Sequence, residues 1–177
     1  MAIKNILKMG NPRLRDKARE VDSKHFNSLE MQNIVRDMVD TLEDTGGIGL
    51  AAPQIGIPFR IVVIKIPKEK GDHHIAAEVP LSIFINPVLT TLGDEEAAHW
   101  EGCLSVPGMR GLVSRPQHLK LKYRNLTEEH NELDVTGFLA TVLQHECDHL
   151  DGILYIDRLI DTKHLVFESE FSEFVAN

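Results

Sequence analysis

Apolar residues recur at intervals of three and four along Met31, Ile34, Val35, Met38 and Leu42, a spacing that predicts one buried face of an amphipathic helix. Asn27 with Glu30 resembles a capping box at its start. Gly46-Gly47 ends it, the first glycine suiting a left-handed cap. Upstream, residues 1–22 have no clean period; Asn11-Pro12 reads as a turn and 13–20 as a polar surface segment. Downstream the period becomes that of strands, at 59–66, 83–92, 97–101, 112–114, 119–124 and 132–135, with 125–131 a hairpin connection. Between the first two lies a charged loop, 67–80, whose His73-His74 pair reads as solvated. A second helical stripe follows through Phe138, Leu139, Val142, Leu143 and Leu150, with Thr136 as N-cap and Gly152 as stop. Residues 153–156 read as extended. A last helix is predicted from an Asp161 cap, with Phe167, Phe171, Phe174 and Val175 on one face. This order predicts one α+β domain over 1–177, mostly antiparallel sheet packed around the second helix, with a helix at the C-terminus.

Composition adds boundaries. The 177 residues are 42% apolar and 26% charged, ordinary for a globular domain with one substantial core. A net charge of −8 speaks against a nucleic-acid binder. Lysines at 4 and 8 interrupt what a signal peptide needs as an apolar core, and no run reaches membrane-spanning length, so a cytoplasmic protein is expected. Two cysteines, Cys103 and Cys147, make no disulfide framework.

The chemistry sits on the second helix, in Gln144-His145-Glu146-Cys147-Asp148-His149. His145 and His149 lie four apart, one turn distant on one face, so two imidazoles can grip one cation. Glu146 suits a general base on the open side better than a ligand. Cys147, about 200° round the helix from His145, reads as a small core residue. Catalytic sites of this kind take three protein ligands. Tyr155 occupies the place where a third histidine would fall in the extended motif. Glu168 and Glu170 offer a thermolysin-like alternative but look solvated. Cys103, in Glu101-Gly102-Cys103-Leu104-Ser105, can supply a thiolate from a strand end. The Gly-x-Gly of 47–49 follows a helix and lacks a third glycine, so it is a poor phosphate loop. Small residues there would let a substrate backbone approach. Asp148 is expected to turn inward onto Arg115, and Arg110 to face the cleft.

Three segments together resemble the peptide deformylase family: Gly47 to Gln54, as Gly-Ile-Gly-Leu-Ala-Ala-Pro-Gln; Glu101 to Ser105; and Gln144 to His149. The resemblance implies an α+β fold and one divalent cation held by Cys103, His145 and His149. Fe(II) is the implied physiological ion, with zinc, nickel or cobalt able to replace it. It implies removal of the formyl group from N-formylmethionine of new polypeptides, releasing formate. Glu146 would carry the proton, and the Gln54 side-chain amide with the Leu104 backbone N–H would face the oxyanion. Phe138, Thr141 and Val142, on the His145 face of the helix, are expected to line a methionine pocket with Ile48 and Leu104 opposite. The substrate would pair as an added strand along Ile48-Gly49 and Gly102. A monomer, with at most transient proximity to the ribosome, is expected. Some similar deformylases dock there through a basic C-terminal helix. Here that stretch carries Asp161, Glu168, Glu170 and Glu173 against Lys163, which predicts packing on its own domain instead.

Overall fold

The computed structural model describes residues 2–68 and 78–175; the His73-His74 pair lies outside the described residues. Helix α1 spans Leu29–Thr45 and turns Met31, Val35, Met38 and Leu42 inward. Its N-cap is Ser28, whose hydroxyl accepts from the Met31 N–H. Asn27 instead takes a left-handed backbone angle, φ 60°, so the cap falls one residue later than the sequence predicts. The helix closes on Gly46 in the left-handed region.

Five strands form the larger sheet: β1 (Gly49–Ala51), β2 (Ile61–Ile66), β3 (Val79–Thr91), β6 (His118–Arg124) and β7 (His130–Thr136), in the order β1-β2-β3-β6-β7, antiparallel throughout. Strands β4 (Glu96–Cys103), β5 (Val106–Pro116) and β8 (Leu165–Phe167) form a second antiparallel sheet. The sequence Ile61-Val62-Val63-Ile64 explains the layering. Alternate side chains leave a strand on opposite faces, and here both faces are covered. Val62, Ile64 and Ile66 pack with Leu143, Cys147 and Leu150 of helix α2 (Gly137–Leu150). Ile61 and Val63 pack with Met31, Val35, Met38 and Leu42 of α1. A strand buried on both sides reads as a continuous apolar run.

Helix α2 is therefore central: its inner residues close one core, and its far end meets the small sheet. It ends at Leu150 with Asp151 as its C-cap, and the chain then turns at Gly152, φ 72°, where a Cβ would stand 2.5 Å from the Arg15 carbonyl oxygen. Residues 155–158 form a 3₁₀ turn rather than the predicted extended segment. The Leu154 N–H donates to the Asp157 carboxylate, which holds the chain in that turn.

The tail departs further from its predicted helix. Asp161 does cap, but over a 3₁₀ turn, Thr162–His164. The chain then pairs as β8 with β5, Met109 opposite Phe167 and Arg110 opposite Val166. Only at Glu168–Glu170 does helix α3 begin, running on as a π turn through Val175. The phenylalanines accordingly share no buried stripe. Phe167 and Phe174 are exposed, and Phe171 packs on Trp100 with ring centroids 5.2 Å apart. No helix among the described residues is long and apolar enough to cross a membrane.

Candidate metal centre and substrate cleft

Strands β4 and β5 meet in a two-residue turn, Leu104-Ser105, with Cys103 paired to Val106 across it. The tight turn lifts the Cys103 thiol off the strand end toward α2. Sγ lies 3.2 Å from Nε2 of His149, and the ligand atoms of Cys103, His145 and His149 lie within 4.8 Å of one another. Among the described residues this is the one group of three ligating side chains that converges. Glu168 and Glu170 take no part in it.

The imidazole of His145 is held from behind. Its Nδ1 faces Glu101 Oε2 at 2.7 Å, leaving Nε2 for a cation, the usual way a carboxylate orients a ligating histidine. Glu101 is itself buried and accepts from Arg115, Nη2 to Oε2 at 3.0 Å. Arg115 reaches on to Asp148 (2.9 Å), and Asp148 accepts from Arg158 Nη2 (2.7 Å). The chain His145–Glu101–Arg115–Asp148 thus leaves α2, crosses the small sheet and returns to α2. The Arg115–Asp148 contact is the one expected from sequence; the Glu101 branch had no such expectation, although Glu101 stands in a segment already singled out. Burial alone would raise the Glu101 carboxyl, but His145 and Arg115 outweigh it and hold it below its ordinary range. Burial also opposes charge on both imidazoles. At His145 the Cys103 thiol and Glu101 prevail and lift its pKa well up, whereas at His149 burial and the His145 charge both push it down.

Glu146 sits beside this cluster, 5% exposed, with Oε2 making no hydrogen bond. Burial raises its carboxyl to about 7. The carboxylate lies against the backbone of Gly49, where a Cβ would stand 2.4 Å from Oε1 and 2.8 Å from Cδ. The close approach that Gly49 permits is therefore first of all to Glu146. Gly49→Ala should displace that carboxylate and lower turnover by about tenfold or more, with bound metal unchanged by elemental analysis. Parent-like turnover would show that Glu146 can move without loss.

Gln54 is oriented by its own turn. Its Oε1 accepts from the Ala51 N–H at 2.8 Å, so Nε2 must face the other way, toward Ser105 Oγ (3.2 Å) and Cys103 Sγ (3.6 Å). The Ser105 N–H also donates to that sulfur, at 3.4 Å. Around these groups opens a cleft of about 510 Å³ whose walls include Ile48, Gly49, Gly102, Leu104, Phe138, Thr141 and Val142. Arg110 stands at its rim. Cys147 faces the core, where burial raises its thiol to about 12.

The thiol and two imidazoles suit a borderline divalent cation, and an unpartnered buried carboxylate beside them is what a hydrolytic site requires. Fold and cleft together place the chain in the class of metal-dependent hydrolases. Residues 3–164 match the family model of polypeptide deformylase, and the chain belongs to the peptide deformylase family. The peptide deformylase of Leptospira biflexa serovar Patoc is 44% identical over 164 residues, covering 92% of this chain and 91% of that one. Peptide deformylase 1 of Nitrosomonas europaea is 45% identical over 163 residues, 91% of this chain and 90% of its own. The fold superposes on the Met-Ala-Ser-bound class I type b peptide deformylase of Acinetobacter baumannii with a TM-score of 0.82 at 34% identity, covering 89% of this chain and all of that one.

Proposed function

We propose that the chain, as one catalytic domain, hydrolyses the formamide of N-formylmethionyl nascent peptides in the cytoplasm, as a monomer in transient proximity to the ribosome. The convergence of Cys103, His145 and His149 beside an unpartnered Glu146 carries this reading. These three residues would hold the cation, Fe(II) by the family resemblance. When bound, the cation activates water and polarises the carbonyl that faces it.

The remaining work belongs to the chain. Glu146 accepts a proton from the water whose oxygen bonds to the formyl carbon, and returns it to the amine nitrogen of methionine as the C–N bond breaks, which frees formate. A carboxyl raised by burial is suited to both halves of that transfer. The Gln54 Nε2 and the Leu104 backbone N–H donate to the formyl oxygen as it gains charge, and the Ala51 N–H on Oε1 of Gln54 fixes which end of that amide faces the site. Phe138, Thr141 and Val142 enclose the methionine side chain, with Ile48 and Leu104 opposite. The substrate backbone lies along Ile48-Gly49 and Gly102, in register as an added strand.

Replacing Cys103 with Ala tests the ligand set. The variant should emerge from anaerobic purification with its metal lost, whereas Glu168→Ala should keep it; the reverse pattern would support a thermolysin-like site. A thiolate ligand also makes the iron form sensitive to oxidation. It should lose activity in air faster than nickel- or zinc-loaded protein, and equal decay of all three forms would count against a thiolate in the set.

A further inference from the structure

Sequence alone places Arg110 at the cleft and names no partner for it. The fold gives it a partner from the far end of the chain. Arg110 Nε donates to Glu168 Oε2 at 2.8 Å and Nη2 donates to Oε1 at 2.9 Å. Both residues line the same cleft as Cys103 and Glu146. The pairing of Arg110 with Val166 across β5 and β8 sets Glu168, two residues on, at the rim. The guanidinium also lies flat on Gly102, where a Cβ would stand 3.0 Å from Nη1 and 3.1 Å from Cζ.

The two side chains keep 36% and 45% of their exposure. Ion pairs that wet contribute little to stability, so bracing the tail is a weak account of this contact. Its larger consequence is electrostatic. A peptide laid along Gly102 runs from the reacting carbon, next to Cys103, directly past the guanidinium. An unpaired Arg110 there would attract an acidic side chain and repel a basic one.

We infer that Glu168 is a specificity-determining residue: by neutralising Arg110 at the cleft rim, it makes the enzyme tolerant of either charge on the residue that follows formylmethionine. This rests on the reading of the cleft as a formyl-peptide site. Broad tolerance at that position fits a substrate pool of nascent chains, which share only their first residue. The tail contributes a specificity element from β8 onward, in a stretch where sequence periodicity predicts only a packed helix.

The test compares kcat/KM for the tripeptides formyl-Met-Ala-Ser, formyl-Met-Asp-Ser and formyl-Met-Lys-Ser on metal-loaded parent, Glu168→Gln and Arg110→Gln proteins. The parent should give similar values for the Asp and Lys peptides. Glu168→Gln should raise the Asp-to-Lys ratio by roughly fivefold, as an unpaired charge several Å away would at intermediate screening. Arg110→Gln should lower the ratio by a comparable factor, and both shifts should shrink in high salt. A brace would behave otherwise: both variants would change all three peptides in the same direction and leave the ratio unmoved, which would overturn the inference. Absence of formate from the Ala peptide with the parent enzyme would instead overturn the underlying assignment of the cleft.

Discussion

Replacing Glu146 with Gln will leave the metal content of the purified protein unchanged while formate release falls by about two orders of magnitude or more. The substitution conserves shape, and the shape is constrained: the side chain is buried and lies against Gly49, so an amide of equal size can occupy the same space. An amide cannot take a proton from water or return one to a leaving amine. Because Oε2 makes no hydrogen bond in the structure, the exchange breaks no existing network. The loss should therefore appear in the chemical step, with KM close to that of the parent. Elemental analysis beside single-turnover formate release separates the possibilities. A metal-free variant would place Glu146 among the ligands and remove it from proton transfer.

The second large effect is expected at Glu101, which acts through His145. Glu101→Ala removes the acceptor for His145 Nδ1 and leaves Arg115 buried, with Asp148 as its remaining carboxylate. Breaking a buried ion pair from one side costs about 3–5 kcal/mol, and losing the partner of a ligating histidine costs about 10–100-fold in metal affinity. Both losses should be visible, the first as a lower denaturant midpoint in apo protein and the second in competition with a chelator. Glu101→Gln, which keeps an acceptor at the same place, should fall between. Parent-like affinity in the alanine variant would mean that packing alone orients His145.

These two residues also show where sequence reasoning reaches and where it stops. Helix α1, the doubly buried β2 and the metal-site helix are legible because each is recorded in a local period that burial imposes on neighbouring positions. Even Asp148 was legible, since a carboxylate one step from a ligand on a buried helix must find a cation. Glu101 was harder. Its partners are 14 and 44 residues away, and no local pattern distinguishes an orienting carboxylate from any other glutamate beside a glycine. The tail was legible in part for a related reason. A C-terminal helix does form, over Glu168–Glu170 and on through Val175, but it starts late, because the three residues of β8, Phe167 among them, hold their conformation through pairing with Met109–Gly111, which no local period records. The Ser28 cap was missed because Asn27 and Ser28 are both competent caps, and the left-handed turn at Asn27 decides between them. Gly49 was flagged for the right property, lack of a side chain, but its near neighbour proved to be Glu146.

Hydrolysis of a formamide at the amino terminus of a peptide can be followed by incubating anaerobically prepared, iron-loaded protein with a formyl-Met-Ala-Ser peptide and its N-acetyl counterpart, and measuring formate and newly exposed amine together. The formyl peptide should give equimolar formate and free amine, with no cleavage of the Met-Ala bond. The Cys103→Ala protein, which lacks the third ligand, should lose the reaction. Cleavage within the peptide chain, or equal turnover by Cys103→Ala protein, would rule out a formyl-peptide hydrolase at this site.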